Sequence, residues 1–555
     1  MTETRMSRLR LGRWFAIAAV AAVGLTAGGA ASAQPNILAK RSNAPVLPDF
    51  SYAGYGFGVE PIPEGRGQVI SVTEHGAVPD DGRDDSKAVL AALAAAHKVD
   101  GPVRLRFPAG RFILSDIMWI RRGDIVVEGA GRGPGGTELM FPRPLRMVDK
   151  TRVLDPLRAY LVENEKRQVE AARNIDLPFS EYSWTGGFLW VMKPDGAAPV
   201  APPVELLAGR QGDRTVRLSA GAGLRKGDVV SVQWHAKQGA ESGIIASIYG
   251  KGVKAGSHHW TTPERPLVVQ TTRIEAIDGK VARIADPLLH DISASVPATL
   301  ARWDGLTNVG IRDLALIFPE GESFGHHLEQ GYNGIHLNDV FDGWIVGLRI
   351  SNAESGILTD DSASITIRDI ITEGDRAAHY AVHVGAVHNV LVSDLLIANP
   401  VLHSLTFNTR STKSVYRRAT VLRTPTLDQH AGANHQNLFD DVKLHIAARP
   451  GADGPTYPLW DGSGAPYWQP GHGRFNTSWN VQVVVGSGAL PSETVRLTGL
   501  DEGPEARIVG VSGNRNFAVD YRPTPYVERL NDPMRDVPSL YDSQLNRRLT
   551  ASRRP

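Results

Sequence analysis

Four consecutive segments, GIHLNDVFDGWIVGLRI (334–350), GILTDDSASITIRDIIT (356–372), AVHVGAVHNVLVSDLLI (381–397) and SLTFNTRSTKSVYRRAT (404–420), each carry two short strand-like runs separated by polar or glycine turns. Ile365, Val390 and Val415 recur at a step of 25 residues, and Asp369 and Asp394 are separated by the same step. Units of this length are too short for helical crossovers and too regular for a sandwich. They fit a stacked solenoid, in which each coil buries its apolar positions against the next. A propeller or an antiparallel sandwich would need tighter hairpin signals. The expected fold is therefore all-β: a right-handed parallel β-helix with an N-terminal capping helix and an inserted antiparallel β lobe.

The remaining segments arrange themselves around those coils. Residues 34–68, rich in Pro, Gly and aromatic residues, read as an extended lead-in. Residues 69–150 read as a cap and first coils: a strand in VISVTEHGAV, an aspartate-rich loop, and a helix over Ser86–His97 with Asp84 or Asp85 at its N-cap. Residues 151–300 break the pattern with TVRLSAGAGLRKGDVVSVQW and VVQTTRIEAIDGKVARIADPL, the latter expected to turn at Asp278-Gly279 in a type I′ hairpin. Trp234, His235, His258, His259 and Trp260 in this lobe read first as surface and packing residues, with contact to a ligand as the alternative. Residues 301–520 hold the main coils and the site loops, and 521–555 form a C-terminal tail.

The first 33 residues differ from the rest. Arg5, Arg8, Arg10 and Arg13 precede an apolar run from Phe15 to Thr26, and Ala31-Ser32-Ala33 offers the small residues a signal peptidase requires. The reading is an export signal with the mature chain starting near Gln34, and hence a periplasmic or secreted protein. Its removal takes away four arginines and one glutamate, a charge of +3, and moves the formal net charge from +1 to −2. Nothing in that balance points to nucleic acid. No later segment approaches the ~20 apolar residues of a membrane span. With no cysteine, disulfides and thiolate metal sites are excluded, and core burial alone must hold the fold.

VTEHGAVPDDGRDDSKAVLAAL, VRLRFPAGRFIL and VVEGAGRGPGGTEL together resemble the N-terminal signature of the pectate-lyase-like superfamily, which includes pectate lyases, rhamnogalacturonases and polygalacturonases. The resemblance is close over Val69–Leu139 and holds in style over the later coils. It implies a β-helix whose first helix closes the N-terminal end, and a structural role for Asp80, Asp81, Asp84 and Asp85. A calcium loop is the alternative for those four carboxylates; otherwise no cofactor is required.

Strand alternation sorts the coils by face. With Ile335, Ile357, Val382 and Leu405 inward, His336, Leu358, His383 and Thr406 form one outward column and Asn338, Asp360, Gly385 and Asn408 the next. Arg410 lies close by. Such a strip suits a polymer. Candidate rim loops carry His326, His327 and Tyr332; Asp428, His430, His435 and Asn437; and Tyr467, Trp468, His472, Arg474 and Trp479. No compact metal-ligand spacing appears among the histidines.

Two kinds of chemistry compete for these residues. A lyase acting on a uronic acid needs cations or amides for the carboxylate, a base and an acid; His383, His430, Asn408, Arg410 and Tyr332 supply them. A hydrolase needs two carboxylates, for which Asp360, Asp361 and Asp428 are available. Asp360-Asp361 looks like the paired aspartates of polygalacturonases, but Gly-His-Gly occurs only far downstream at Gly471-His472-Gly473 and no Arg-Ile-Lys follows. The carboxylate set and arginine pattern of calcium-dependent pectate lyases are also missing. His336, His326, His327, Asp428, His435, Trp468 and Arg474 are assigned to substrate binding. A non-catalytic glycan-binding β-helix would favour uniform coils with Ser, Thr and Asn outside, which this chain lacks. The expectation is a monomeric lyase on an acidic polysaccharide or oligosaccharide, with a hydrolase as the first alternative and a non-catalytic glycan-binding β-helix as the second.

Overall fold

The computed structural model describes residues 35–39, 46–167, 179–194, 201–221, 223–462 and 464–553. The expected export signal lies outside the described residues. The chain is a right-handed parallel β-helix, as the sequence implies. One parallel sheet has seven strands, in sequence order Met118–Ile120, Leu189–Val191, Asn333–Asn338, Ser355–Asp360, Ala378–Val384, Val401–Phe407 and Leu427–Gln429. A nineteen-stranded sheet forms most of the remaining wall, and three short strands add a third sheet toward the C-terminus. A continuous apolar core fills the interior from Ile70 to Tyr521. Among the described residues no helix is long and apolar enough to cross a membrane.

The ladder follows the expected faces. His336 pairs with Leu358, Leu358 with His383, His383 with Thr406 and Thr406 with Asp428. The 25-residue step does not hold throughout, however. Val415 pairs with Leu391 rather than stacking on Val390, whose N–H instead reaches Ser414 Oγ at 3.2 Å. Moving the register by one residue turns a side chain to the opposite face. Leu391 and Val415 accordingly point outward, where Phe50, Ala53 and the C-terminal helix Leu540–Ser552 cover them.

The corners of the coils explain much of the acidic sequence. Asp339, Asp361, Ala386 and Arg410 take positive φ at one corner of successive coils, Asn308, Asp342, Ser364, Asn389 and Lys413 at a second, and Asp313, Gly347, Asp369, Asp394 and Arg418 at a third. Asp and Asn adopt this left-handed conformation at the lowest cost after glycine.

The first helix, Ser86–His97, buries Val89, Ala92, Leu93 and Ala96 over the end of the solenoid. Its aspartates shape the preceding loop, with one correction: neither Asp84 nor Asp85 bonds the second or third helical N–H. Asp84 accepts from Ser86 N at 2.8 Å. Asp80 accepts from Arg111 N at 3.0 Å and Asp81 from Arg83 N at 2.8 Å. Asp85 is drawn inward, accepting from Val78 N at 2.8 Å and Ile113 N at 3.3 Å, which ties the loop to the first coil. Asp85→Ala is therefore expected to strand two backbone donors and lower stability by about 2 kcal/mol, read by denaturant titration. Unchanged stability would remove this loop from the fold's support.

Six antiparallel strands between Val204 and Arg302 close into a small barrel with its own apolar core. It is inserted into the solenoid without interrupting it: Leu306–Ile317 resumes pairing with Ile125–Glu128, and Ile335 pairs with Leu189. The hairpin expected at Asp278-Gly279 is shifted by one residue. Asp278 pairs with Val281, leaving Gly279 and Lys280 as the loop, and only Gly279 has positive φ, the pattern of a type II′ rather than a type I′ turn. Beyond residue 521 the chain adds the strand Tyr526–Glu528 and the closing helix. Buried Asp440 anchors that helix, accepting from Leu540 N at 2.8 Å and Tyr541 N at 3.1 Å.

Candidate active site

A cleft of about 720 Å³ lies along the outer face of the seven-stranded sheet. Asp360, His383, Gly385, Asn408 and Arg410 line it from the ends of three successive strands, and His430 from just after the fourth. Trp184 and the helix Asp155–Arg167, through Leu157, Tyr160 and Leu161, form one wall; Tyr467 and Trp468 belong to the other. The barrel braces that second wall. The rings of His258 and Tyr467 stack at 4.0 Å, His259 meets Trp468 at 5.6 Å, and Gly256 N donates to Gln469 O at 2.7 Å. His258 and His259 thus act as packing residues that position the rim.

His383 is fixed in one orientation. Its Nδ1 lies 3.2 Å from the Thr359 carbonyl, which can only accept, so Nδ1 carries the proton and Nε2 keeps its lone pair. Burial lowers its pKa to about 4, leaving the ring neutral at neutral pH. The ring packs flush against Gly385: a Cβ there would stand 2.2 Å from His383 Cε1. Asn408 Oδ1 accepts from Thr409 N at 2.7 Å and Thr409 Oγ1 at 2.9 Å, which leaves the Asn408 amide N–H groups as its donors. The carboxyl of Asp360 is pushed up to about 7, by burial first and by Asp361 second, with Arg410 opposing. Arg410 reaches Asp361 only at 4.0 Å.

Below His383 and His430 lies a layer of imidazoles and carboxylates. Asp428 is fully buried, accepts from Thr406 Oγ1 at 2.5 Å, and faces His403 Nδ1 at 3.2 Å and His430 Nδ1 at 3.4 Å. Burial alone would raise the Asp428 carboxyl, but the two imidazoles outweigh it and hold it well below the usual range. For His430 burial opposes the charge, yet Asp428 outweighs it and raises the pKa. His326 and His327 stack at 3.6 Å, and burial lowers both. His379 Nδ1 lies 2.8 Å from Glu329 Oε1.

Ten of the residues singled out in the sequence line this one cleft: His326, His327, Asp360, His383, Gly385, Asn408, Arg410, His430, Tyr467 and Trp468. Asp428 lies beneath it. Others are elsewhere, and the expectation of an open column is corrected for His336. It is 1% exposed, sealed beneath the turn at 184–187, and accepts from Gly186 N at 3.1 Å. His435 is buried at the contact with the barrel, its Nε2 2.8 Å from His290 Nε2. Arg474 pairs with Glu505 at 2.6 Å, and Tyr332 packs beneath Arg376 at 4.6 Å. Asp361 faces a neighbouring hollow between barrel and solenoid. His472 is buried against Tyr521 Oη at 2.5 Å.

Sequence reasoning missed His379, His403 and Glu329. Alternation from Val382 and Leu405 puts positions two residues earlier, Tyr380 and His403, on the inward face. Ala381 and Val382 both lie in the core, so the alternation slips by one residue there. Tyr380 consequently turns outward, and so does His403, its partner on the next coil; their rings meet at 5.4 Å.

The sequence matches no protein-family profile and no curated protein. Among solved structures the chain is similar to the tailspike gp61 of Pseudomonas phage phi297, at 11% identity over 82% of this chain and 78% of that one, with a TM-score of 0.42. The A-module of the mannuronan C-5 epimerase AlgE4 from Azotobacter vinelandii aligns at 12% identity over 83% of this chain and 96% of its own, TM-score 0.35. A family 28 exopolygalacturonase from Yersinia enterocolitica aligns at 11% identity over 84% of this chain and 77% of its own, TM-score 0.31.

Proposed function

We propose that this protein is an exported carbohydrate-active enzyme, a polysaccharide lyase that cleaves a uronic-acid-containing glycan by β-elimination. The observation that carries the reading is His383. Its proton is fixed on the Thr359 side, its ring is neutral, and it borders the same cleft as the amide of Asn408 and the guanidinium of Arg410. Arg410 and Asn408 neutralise the uronate carboxylate, which acidifies the neighbouring C–H. His383 Nε2 removes that proton, the electron pair forms a carbon–carbon double bond, and the glycosidic C–O bond breaks. His430, whose Nδ1 lies 3.4 Å from the Asp428 carboxylate, protonates the departing oxygen. Trp184, Tyr467 and Trp468 offer aromatic faces on which sugar rings can lie.

Hydrolysis is the second reading, and Asp360 favours it, because a carboxyl raised to about 7 suits a general acid. Asp501 also borders the cleft, but the partner carboxylates read from the sequence do not. Asp361 opens into the neighbouring hollow, and Asp428 is enclosed by Thr406, His403 and His430. Incubation with a panel of acidic polysaccharides is expected to release oligosaccharides with an ultraviolet-absorbing unsaturated end. New reducing ends without that absorbance, abolished by Asp360→Asn, would replace the lyase with a hydrolase. Saturable binding without cleavage would leave a glycan-binding β-helix.

A further inference from the structure

His379 and His403 pose a problem that the proposed elimination does not solve. Both are buried, at 3% and 8% exposure, and neither Nε2 has a hydrogen-bond partner among the described residues. An unsatisfied buried polar atom costs about 1–3 kcal/mol, so a purely structural aromatic stack would be better built from phenylalanine. Each Nδ1 also lies against a buried carboxylate, His379 Nδ1 at 2.8 Å from Glu329 Oε1, outside hydrogen-bond geometry, and His403 Nδ1 at 3.2 Å from Asp428 Oδ2. Both carboxylates are themselves held in place, Glu329 by Ser183 Oγ at 2.5 Å and Asp428 by Thr406 Oγ1 at 2.5 Å. A carboxylate behind one ring nitrogen, with the other left bare, is the outer-shell arrangement of metal-binding histidines.

A third imidazole completes the set. His326, exposed on the cleft, brings its ring to 4.8 Å from His379 and 5.7 Å from His403. One ring nitrogen from each of the three lies within 4.8 Å of the others. We propose that His326, His379 and His403 form a site for a divalent transition-metal ion of the zinc class at the edge of the cleft. Two nitrogens on a tetrahedral ion with bonds of about 2.0–2.1 Å stand about 3.4 Å apart, so binding draws the exposed His326 inward onto the two fixed rings. Neutral imidazoles suit such an ion, whereas calcium takes oxygen ligands. The three protein ligands leave a coordination position on the His326 side, toward the cleft, for a carboxylate or hydroxyl oxygen of the glycan. The site stands on its own geometry; only this use of the open position rests on the lyase reading.

The test uses tag-free full-length protein, stripped with chelator and titrated separately with Zn²⁺ and Co²⁺. One equivalent is expected to bind per chain with sub-micromolar affinity, raising the melting temperature and giving the visible d–d bands of a tetrahedral Co²⁺ complex. His326→Ala, at an exposed loop position that leaves the core intact, should weaken binding at least 100-fold, as should His379→Ala. Glu329→Gln should weaken it 10- to 100-fold. Failure of the wild type to bind either ion at micromolar concentration overturns the proposal. So does undiminished binding by His326→Ala, which decides the matter if His379→Ala does not fold. Assaying the stripped and loaded protein for unsaturated product separates the two readings. A bound ion without elimination refutes the lyase and leaves the site; elimination by a protein that binds no ion refutes the site and leaves the lyase.

Discussion

His383→Ala is expected to lower kcat by ~100-fold or more, the usual contribution of a positioned proton acceptor, while leaving the melting temperature close to that of the wild type. The side chain projects outward from the sheet, so its loss creates no cavity among the core residues. Gly385→Ala should reproduce much of this loss without removing the imidazole. The new methyl group would overlap His383 Cε1, at 2.2 Å, and rotate the ring off the Thr359 carbonyl that fixes its tautomer. Arg410→Ala should mainly raise KM, because its charge engages the carboxylate already present in the bound substrate. All three are measured as initial rates of ultraviolet absorbance across substrate concentrations. An active His383→Ala alongside an inactive Asp360→Asn would reverse the assignment and make a carboxylate the reacting group.

The placement of His383 was legible in the sequence, and the residues beneath it were not, for physical reasons. Burial fixes register wherever one face of a strand must be apolar, so Ile335, Ile357, Val382 and Leu405 sufficed to put His336, Leu358, His383 and Thr406 in one column. A column does not say what covers it. His336 and His383 occupy the same position on different coils, yet only His383 meets the cleft, because the turn at 184–187 closes over His336. That cover comes from about 150 residues away in sequence, beyond the reach of any local pattern. The slip at Ala381–Val382, which turns Tyr380 outward, left no composition signal. Adjacent acidic residues pose the opposite difficulty. The Asp360-Asp361 pair reads like a catalytic dyad, yet the two part company in space: Asp360 lines the cleft, whereas Asp361, with φ 39° at a corner shared with Asp339, Ala386 and Arg410, faces the neighbouring hollow.

Val390→Asp is expected to be the most destabilising of the single substitutions considered, by roughly 4 kcal/mol or more. Val390 is fully buried in the continuous core. Aspartate there would place an unpaired carboxylate among side chains that cannot solvate it. Val390→Ala, which removes only methyl groups, should cost about 2 kcal/mol, so the difference between the two variants measures the charge rather than the cavity. The sign of the pH dependence identifies the cause. Burial would raise the pKa of the introduced carboxyl, so its penalty is greatest at neutral pH and shrinks as the pH falls and the neutral form takes over. Because each coil of a solenoid rests only on its neighbours, the damage should begin in the coil that contains both Val390 and His383, and activity should be lost at or below the melting temperature of the variant. A Val390→Asp protein that melts like the wild type would place residue 390 on the outer face, and the outward position of His383, seven residues earlier in the same coil, would fall with it.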